Sequence, residues 1–222
     1  MKVVMEFEGV IVDDAASCYA AHSLAAERVG WARLDQQSFW RLLRTQGQEA
    51  VFLRGAKPLK LKEYREVFDG CLRDPAVRSR LVRDDMLNEL MRRVRRVADC
   101  RVVSLLQADD VARNTMAEAM PDDASEIVTM SPIPGLRQSQ LNDLADGDRQ
   151  RVLVATADAL IRAGGAAEFI TVGLSGGRCG RKRLEQAGAS VIFRDLEDFA
   201  DCLAGGGKEL LEAGLLPFTA GE

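Results

Sequence analysis

The segment VVMEFEGVIVDD (residues 3–14) governs the reading of the chain. Residues 2–7, KVVMEF, form a short apolar run that closes on acids, the pattern of a strand buried on both faces. Gly9 then marks a tight turn, and the alanine-rich residues 14–29 predict a helix that Gly30 stops. Two glutamates, Glu6 and Glu8, therefore stand at a strand end, where open α/β sheets gather their ligands.

Outward from this segment the pattern is helical for a long stretch. Residues 36–46, 61–72 and 84–98 predict helices, and Met86, Leu87, Leu90, Met91, Val94 and Val97 keep an amphipathic spacing of three or four. After that the chain alternates. Residues 101–106, 126–131, 168–173 and 189–193 predict strands. Residues 109–120, 148–163, a short stretch ending near Ala187-Gly188, and 195–203 predict helices. Gly205–Gly207 reads as the start of a flexible tail. Such alternation implies an α/β fold, a doubly wound parallel sheet of Rossmann-like type. The first strand must rejoin that sheet, so a helical cap domain (15–80) is expected to be inserted in a core made of residues 1–14 and 81–222. The predicted strand ends are Glu6–Gly9, Ser104–Gln107, Ser131 and Gly173–Gly177.

The apolar strand, the two carboxylates two apart, Gly9, Val10 and Asp13 resemble the first motif of the haloacid dehalogenase (HAD) superfamily of phosphatases, in the branch of phosphoglycolate phosphatases and β-phosphoglucomutase-like proteins. The resemblance extends over almost the whole layout, and ITVGLSGGRCGRKRLEQAGASVIF (170–193) resembles the family's last motif. It implies an aspartyl nucleophile, a second aspartate as general acid and base, a phosphate-binding Ser or Thr at the next strand end, a lysine beyond it, and Mg²⁺ held by the nucleophile with one or two aspartates after the fourth strand. Carried over, Glu6 takes the nucleophile position and the metal position, Glu8 the acid–base position, and Ser104 the phosphate-binding position, or Leu105 if the alignment slips. Gly9, Ser175 and Arg178 join Ser104 as candidate phosphate contacts. No lysine lies between Lys62 and Lys182, and Arg137 or Arg149 is the available substitute. Leu174 falls where a metal-binding aspartate is expected.

Each Asp-to-Glu change moves a carboxylate by roughly 1 Å, and a misplacement of that size costs on the order of 100-fold in rate. Mg²⁺ needs hard oxygen ligands in near-octahedral array, which a leucine cannot supply. The expected function is a HAD-like protein with a degenerate phosphatase site, inactive or very weak, without a cofactor, binding a small phosphorylated or anionic molecule or a protein partner, a second copy included. The alternative is an active phosphoric monoester hydrolase, Mg²⁺-dependent, using Glu6 as nucleophile and Glu8 as acid and base.

The loop GLSGGRCGRKR (173–183) has two balanced readings, an anion-binding turn or a solvated surface turn; it is neither a Walker A nor a GxGxxG sequence. Arg92, Arg93, Arg95 and Arg96 read as the solvated face of an amphipathic helix, Phe39 and Trp40 as cap core, and His22 as a structural residue. A net charge of −4 argues against nucleic acid, and no apolar run is long enough to span a membrane. The acids at positions 6 and 8 do not fit a signal peptide. Five scattered cysteines without a CxxC pair predict free thiols and a cytoplasmic protein.

Overall fold

The computed structural model describes residues 1–46, 51, 61–106, 110–119, 127–145, 147 and 150–214. Its centre is β1 (Lys2–Glu6), whose five residues are all buried. Val3 and Met5 pack on one side of the sheet with Leu90, Met91 and Phe199; Val4 packs on the other with Leu141, Leu160 and Ile161. That double burial is why the middle of KVVME, Val3–Met5, is continuously apolar instead of alternating. Lys2 is held at the strand's amino end by Asp99, Nζ to Oδ2 2.5 Å.

After β1 come β2 (Val12–Asp13), α1 (Ala15–Val29), α2 (Gln36–Gln46), α3 (Leu61–Leu72), α4 (Pro75–Arg78) and β3 (Val82–Arg83). Then α5 (Leu87–Arg95), β4 (Asp99–Ser104), α6 (Asp110–Ala119), β5 (Val128–Thr129) and α7 (Pro134–Ala145) follow. The chain continues through β6 (Arg151–Ala155), α8 (Asp158–Ala166), β7 (Ile170–Leu174), α9 (Arg181–Gln186), β8 (Val191–Phe193), α10 (Leu196–Ala204) and α11 (Lys208–Glu212). Six strands form a parallel sheet in the order β5-β4-β1-β6-β7-β8.

Strand order reverses at β1. The chain builds β4 and β5 to one side, then crosses to place β6 on the other. In sheets of this kind, that reversal opens a crevice at the carboxyl ends of the central strands. Here those ends deliver Glu6 from β1, Ser104 from β4 and Thr156 just beyond β6.

A helical segment, α1 to α4, lies between β2 and β3, which pair antiparallel (Val12↔Arg83, Asp13↔Val82) and bring its two ends together. It has an apolar cluster of its own, including Phe39, Leu42, Tyr64, Phe68 and Leu72. Phe39 is buried there, and Trp40 packs against it edge-on. His22 is structural, as expected: Nδ1 lies 2.5 Å from the Tyr64 hydroxyl and Nε2 accepts from Leu34 N at 3.0 Å. Burial pushes its pKa down to about 4. All five cysteines are free, and Cys18, Cys71, Cys100 and Cys179 are buried.

Several elements differ from the sequence reading. RVLVA (151–155) is a strand, β6, where a helix over 148–163 was expected. PGLRQSQLNDLA is helix α7: Pro134 sits at its first position, where a missing N–H costs nothing. Gly207, in left-handed conformation (φ 68°), starts α11 instead of a loose tail. The amphipathic helix over 84–98 is shorter, Leu87–Arg95, leaving Met86 and Val97 exposed. Its arginines form a solvated face, with Arg92 paired to Glu89 and Arg93 to Asp201. No helix among the described residues is long and apolar enough to cross a membrane.

Candidate functional site

Glu6, the last residue of β1, is 0% exposed. Its Oε2 accepts from Thr156 N (2.7 Å), Ala157 N (3.0 Å) and Thr156 Oγ1 (3.1 Å), so one carboxylate oxygen takes three donors from the end of β6. Its Oε1 is buried with no hydrogen-bond partner. Burial raises the Glu6 pKa from 4.5 to about 7; Arg178 and the Thr156 N–H pull against that rise, and Glu8 adds to it. The Thr156 hydroxyl also reaches the Glu8 carbonyl, at 3.4 Å. Gly9 adopts φ 87°, and a Cβ there would sit 2.4 Å from Thr156 Oγ1, so this turn requires glycine on both counts.

Glu8 is likewise 0% exposed. Its Oε1 accepts from Ser104 Oγ (2.6 Å) and from the Arg78 guanidinium (Nη1, 3.3 Å), while Oε2 has no partner. Burial raises its pKa, opposed by Arg178, Ser104 and Arg78. Arg78 comes from the helical insertion. Asp74 caps α4 by accepting from Ala76 N, Pro75 opens it, and Arg78 ends it, 1% exposed, with its guanidinium 5.9 Å from the Phe7 ring centroid.

Arg178, on the loop after β7, donates from Nε to Asp14 Oδ2 at 2.6 Å, and its Nη2 lies 2.5 Å from the same oxygen. The same Asp14 oxygen accepts from the Cys18 thiol at 3.1 Å. Burial disfavours the Arg178 charge, but Asp14, Glu6 and Glu8 together hold its pKa well above the ordinary arginine value.

The structure thus brings Glu6, Glu8 and Ser104 into one buried cluster, with the partly buried Arg178 beside it. Their availability differs from expectation. Ser104 spends its proton on Glu8 and its lone pair on Leu106 N (3.0 Å). Arg178 is committed to Asp14. Gly9 N donates to Val12 O (2.7 Å). Ser175 stands apart: its hydroxyl and its N–H both donate to Phe193 O, and its carbonyl accepts from Arg44. Arg137 is buried and donates to the carbonyls of Ser131, Pro132 and Ala159, with Glu6 within its electrostatic reach. Arg149 lies outside the described residues.

Leu174 does not adjoin Glu6. It ends β7, and β6 lies between β7 and β1. It lines a cavity of about 380 Å³ with Val10, Val82 and Leu196, and neither Glu6 nor Glu8 reaches that cavity. β6 is the fourth strand of the sheet in chain order, so the position after the fourth strand is filled by Thr156, Ala157 and Asp158. Sequence reasoning missed Thr156, Asp14 and Arg78. A strand reading of RVLVA would have exposed Thr156; Asp14 was overshadowed by Asp13, which is exposed and caps Ala15 N. Arg78 carries no local signal.

No protein-family model matches the chain, and no curated protein matches it in sequence. Solved structures match it throughout. A haloacid dehalogenase-like hydrolase from Streptococcus pneumoniae superposes with TM-score 0.71 at 10% identity, covering 92% of this chain and 97% of its own. A protein described as a predicted phosphatase, from Clostridium acetobutylicum, gives 0.70 at 8% identity over 92% and 98%. One described as a predicted phosphoglycolate phosphatase, from Haemophilus somnus, gives 0.64 at 14% over 91% and 97%. The fold is that of the haloacid dehalogenase-like hydrolases.

That HAD-like fold implies Mg²⁺ at the end of the first strand, and the residues present do not fit it. The oxygen the resemblance assigns to the metal is a Glu6 carboxylate oxygen, and the Thr156 hydroxyl bridges from it to the Glu8 carbonyl. The aspartate expected after the fourth strand is Thr156 or Ala157, and Asp158 instead pairs with Arg162 and Arg183. Among the described residues, no three His, Cys, Asp or Glu side chains group so as to hold a metal ion.

Proposed function

We propose that this chain is a HAD-fold protein that does not turn over phosphate esters and works by binding a protein partner. The observation that carries this reading is the closure of the cluster. Glu6 and Glu8, at the positions of nucleophile and acid–base, are both wholly buried, the Ser104 hydroxyl and the Thr156 and Ala157 donors are spent on these two carboxylates, and the Arg178 charge is paired with Asp14. A nucleophile must approach phosphorus to within about 3–3.5 Å. Glu6 has its Oε2 saturated by three donors, and its Oε1 lies in an interior whose other acids would repel a phosphate dianion. A small anion gains nothing here, because the cations that would receive it are paired. Binding therefore belongs to the outer surface. The helical insertion, in this reading, is a cap fixed in the closed position.

The test is turnover of p-nitrophenyl phosphate and a panel of phosphorylated metabolites with Mg²⁺ or Mn²⁺, together with thermal stabilisation by the same compounds and by inorganic phosphate. The expected results are no turnover and no shift in Tm. Turnover that disappears in Glu6→Gln would establish the hydrolase instead. Stabilisation without turnover would replace the protein partner by a small phosphorylated ligand.

A further inference from the structure

We propose that the Arg178 guanidinium is a resident cation that neutralises the carboxylates at the sheet's reversal point in place of a divalent metal ion. The inference deepens the non-catalytic reading and rests on it.

Three buried carboxylates, Glu6, Glu8 and Asp14, surround the Arg178 guanidinium within its electrostatic reach. A buried carboxylate must be paired, protonated or metal-bound. Arg178 reaches Asp14 directly through Nε and Nη2. Its loop is stitched to the strand end that holds Glu6: Cys179 N donates to Thr156 O at 3.1 Å, and a Cβ on Gly177 would lie 2.4 Å from Thr156 Cγ2. The guanidinium consequently lies within the electrostatic reach of both glutamates as well as Asp14. Of the four buried side-chain polar atoms without a hydrogen bond among the described residues, three are here: Glu6 Oε1, Glu8 Oε2 and Arg178 Nη2, two acceptors and one donor of opposite charge. Nη2 is close to Asp14 but off-angle, a charge contact and not a hydrogen bond.

With all three carboxylates ionised the charge balance closes without an ion, and a protonated Glu6 makes the site still less receptive to a cation. Glu6, Glu8 and Asp14 are set against Arg178, Arg78, which contacts Glu8, and Arg137, whose charge is felt at Glu6. Adding a divalent cation would leave two uncompensated positive charges in a buried site, which is strongly unfavourable. Thr156 stands between Glu6 Oε2 and the Glu8 carbonyl, and Gly9 and Gly177 pack so close to it that neither position could carry a Cβ.

Removing the charge should convert the site into one that seeks a cation. Thermal unfolding and Mn²⁺ electron paramagnetic resonance on the full chain read this directly. The wild type is expected to show no bound Mn²⁺ and a Tm unmoved by Mg²⁺ or Mn²⁺. Arg178→Gln, which keeps a donor for Asp14, is expected to melt lower and to regain about 5 °C or more with millimolar Mn²⁺. Arg178→Lys, which keeps the charge, is expected to be indifferent to both ions. Bound Mn²⁺ in the wild type that Glu6→Gln abolishes would overturn the proposal, and so would a folded Arg178→Gln that ignores Mn²⁺. Should Arg178→Gln fail to fold under either condition, the wild-type resonance measurement alone decides: bound Mn²⁺ refutes, its absence supports. Turnover without a metal would refute the non-catalytic reading and leave Arg178 in its role; bound Mn²⁺ without turnover would do the reverse.

Discussion

Glu6 shows how burial reshapes the chemistry of a single carboxylate. Its carboxyl is raised to about 7, burial being the main cause, so near neutral pH it exists in both protonation states. The unfolded chain releases that proton near 4.5. Between those values the folded state binds more protons than the unfolded one, so the associated stability is fully present below pH 4.5 and is lost as pH rises through about 7. At about 1.4 kcal/mol per pKa unit, the contribution is about 3 kcal/mol. Glu6→Gln imitates the protonated form and removes this dependence. Urea unfolding of both proteins from pH 5 to pH 8 is expected to show the wild type falling relative to Glu6→Gln by that amount, with Glu6→Gln the more stable protein at pH 8. Parallel profiles for the two would show that the carboxyl titrates normally.

At the scale of elements, the first half of the fold was legible because its signals are local. KVVMEF reads as buried strand from apolar continuity, and the predicted helices at 36–46 and 61–72 match α2 and α3 end to end. What failed was β6. RVLVA is only five residues long and is followed by the alanine-rich TADALIRAGGAA, so a helical period swallowed it. A short strand buried on both faces has no period of its own, and only its place beside β1 distinguishes it. With β6 went Thr156, and the metal-binding position was then sought at Leu174. The phosphate candidates were legible as residue types at strand ends, but their internal partners, Asp14 and Arg78 above all, are brought up by tertiary packing. The junction of β6 with the loop after β7 makes a further prediction. Gly177→Ala places a methyl 2.4 Å from Thr156 Cγ2, an overpacking expected to cost about 1–3 kcal/mol. Thr156→Ser removes that methyl and keeps the hydroxyl for Glu6. The double variant Gly177→Ala/Thr156→Ser is therefore expected to be more stable than the sum of the single effects, as a double-mutant cycle in urea would measure. Strict additivity would mean that the Cγ2 contact is not what the alanine methyl meets, since serine keeps the Thr156 Cβ 2.7 Å from it.

For the whole molecule, the helical insertion is tied to the sheet from three directions. The β2–β3 pairing joins its ends. Arg44 of α2 donates to the carbonyls of Ser175 and Gly176, and its own carbonyl accepts from Gly180 N. Arg78 reaches Glu8 in the interior. The last tie differs in kind from the surface ones, because both partners are almost fully excluded from water, 1% and 0% exposed in their side chains. An exposed ion pair is worth little, but breaking a buried one strands a charge in a poor solvent for it. Arg78→Met keeps most of the volume and strands Glu8. It is expected to lower the unfolding free energy by about 3–5 kcal/mol. Pairing it with Glu8→Gln removes the stranded charge and leaves an amide that Ser104 can still meet, so most of the loss should return. Equilibrium unfolding followed by tryptophan fluorescence, which reports on Trp31 and Trp40 in the insertion, and by far-ultraviolet circular dichroism, which reports on the whole chain, checks both expectations. If insertion and sheet are held as one unit by this pair, the two signals coincide in the wild type and separate in Arg78→Met; coincident transitions at an unchanged midpoint in Arg78→Met would show that the buried pair does not bind the two parts together.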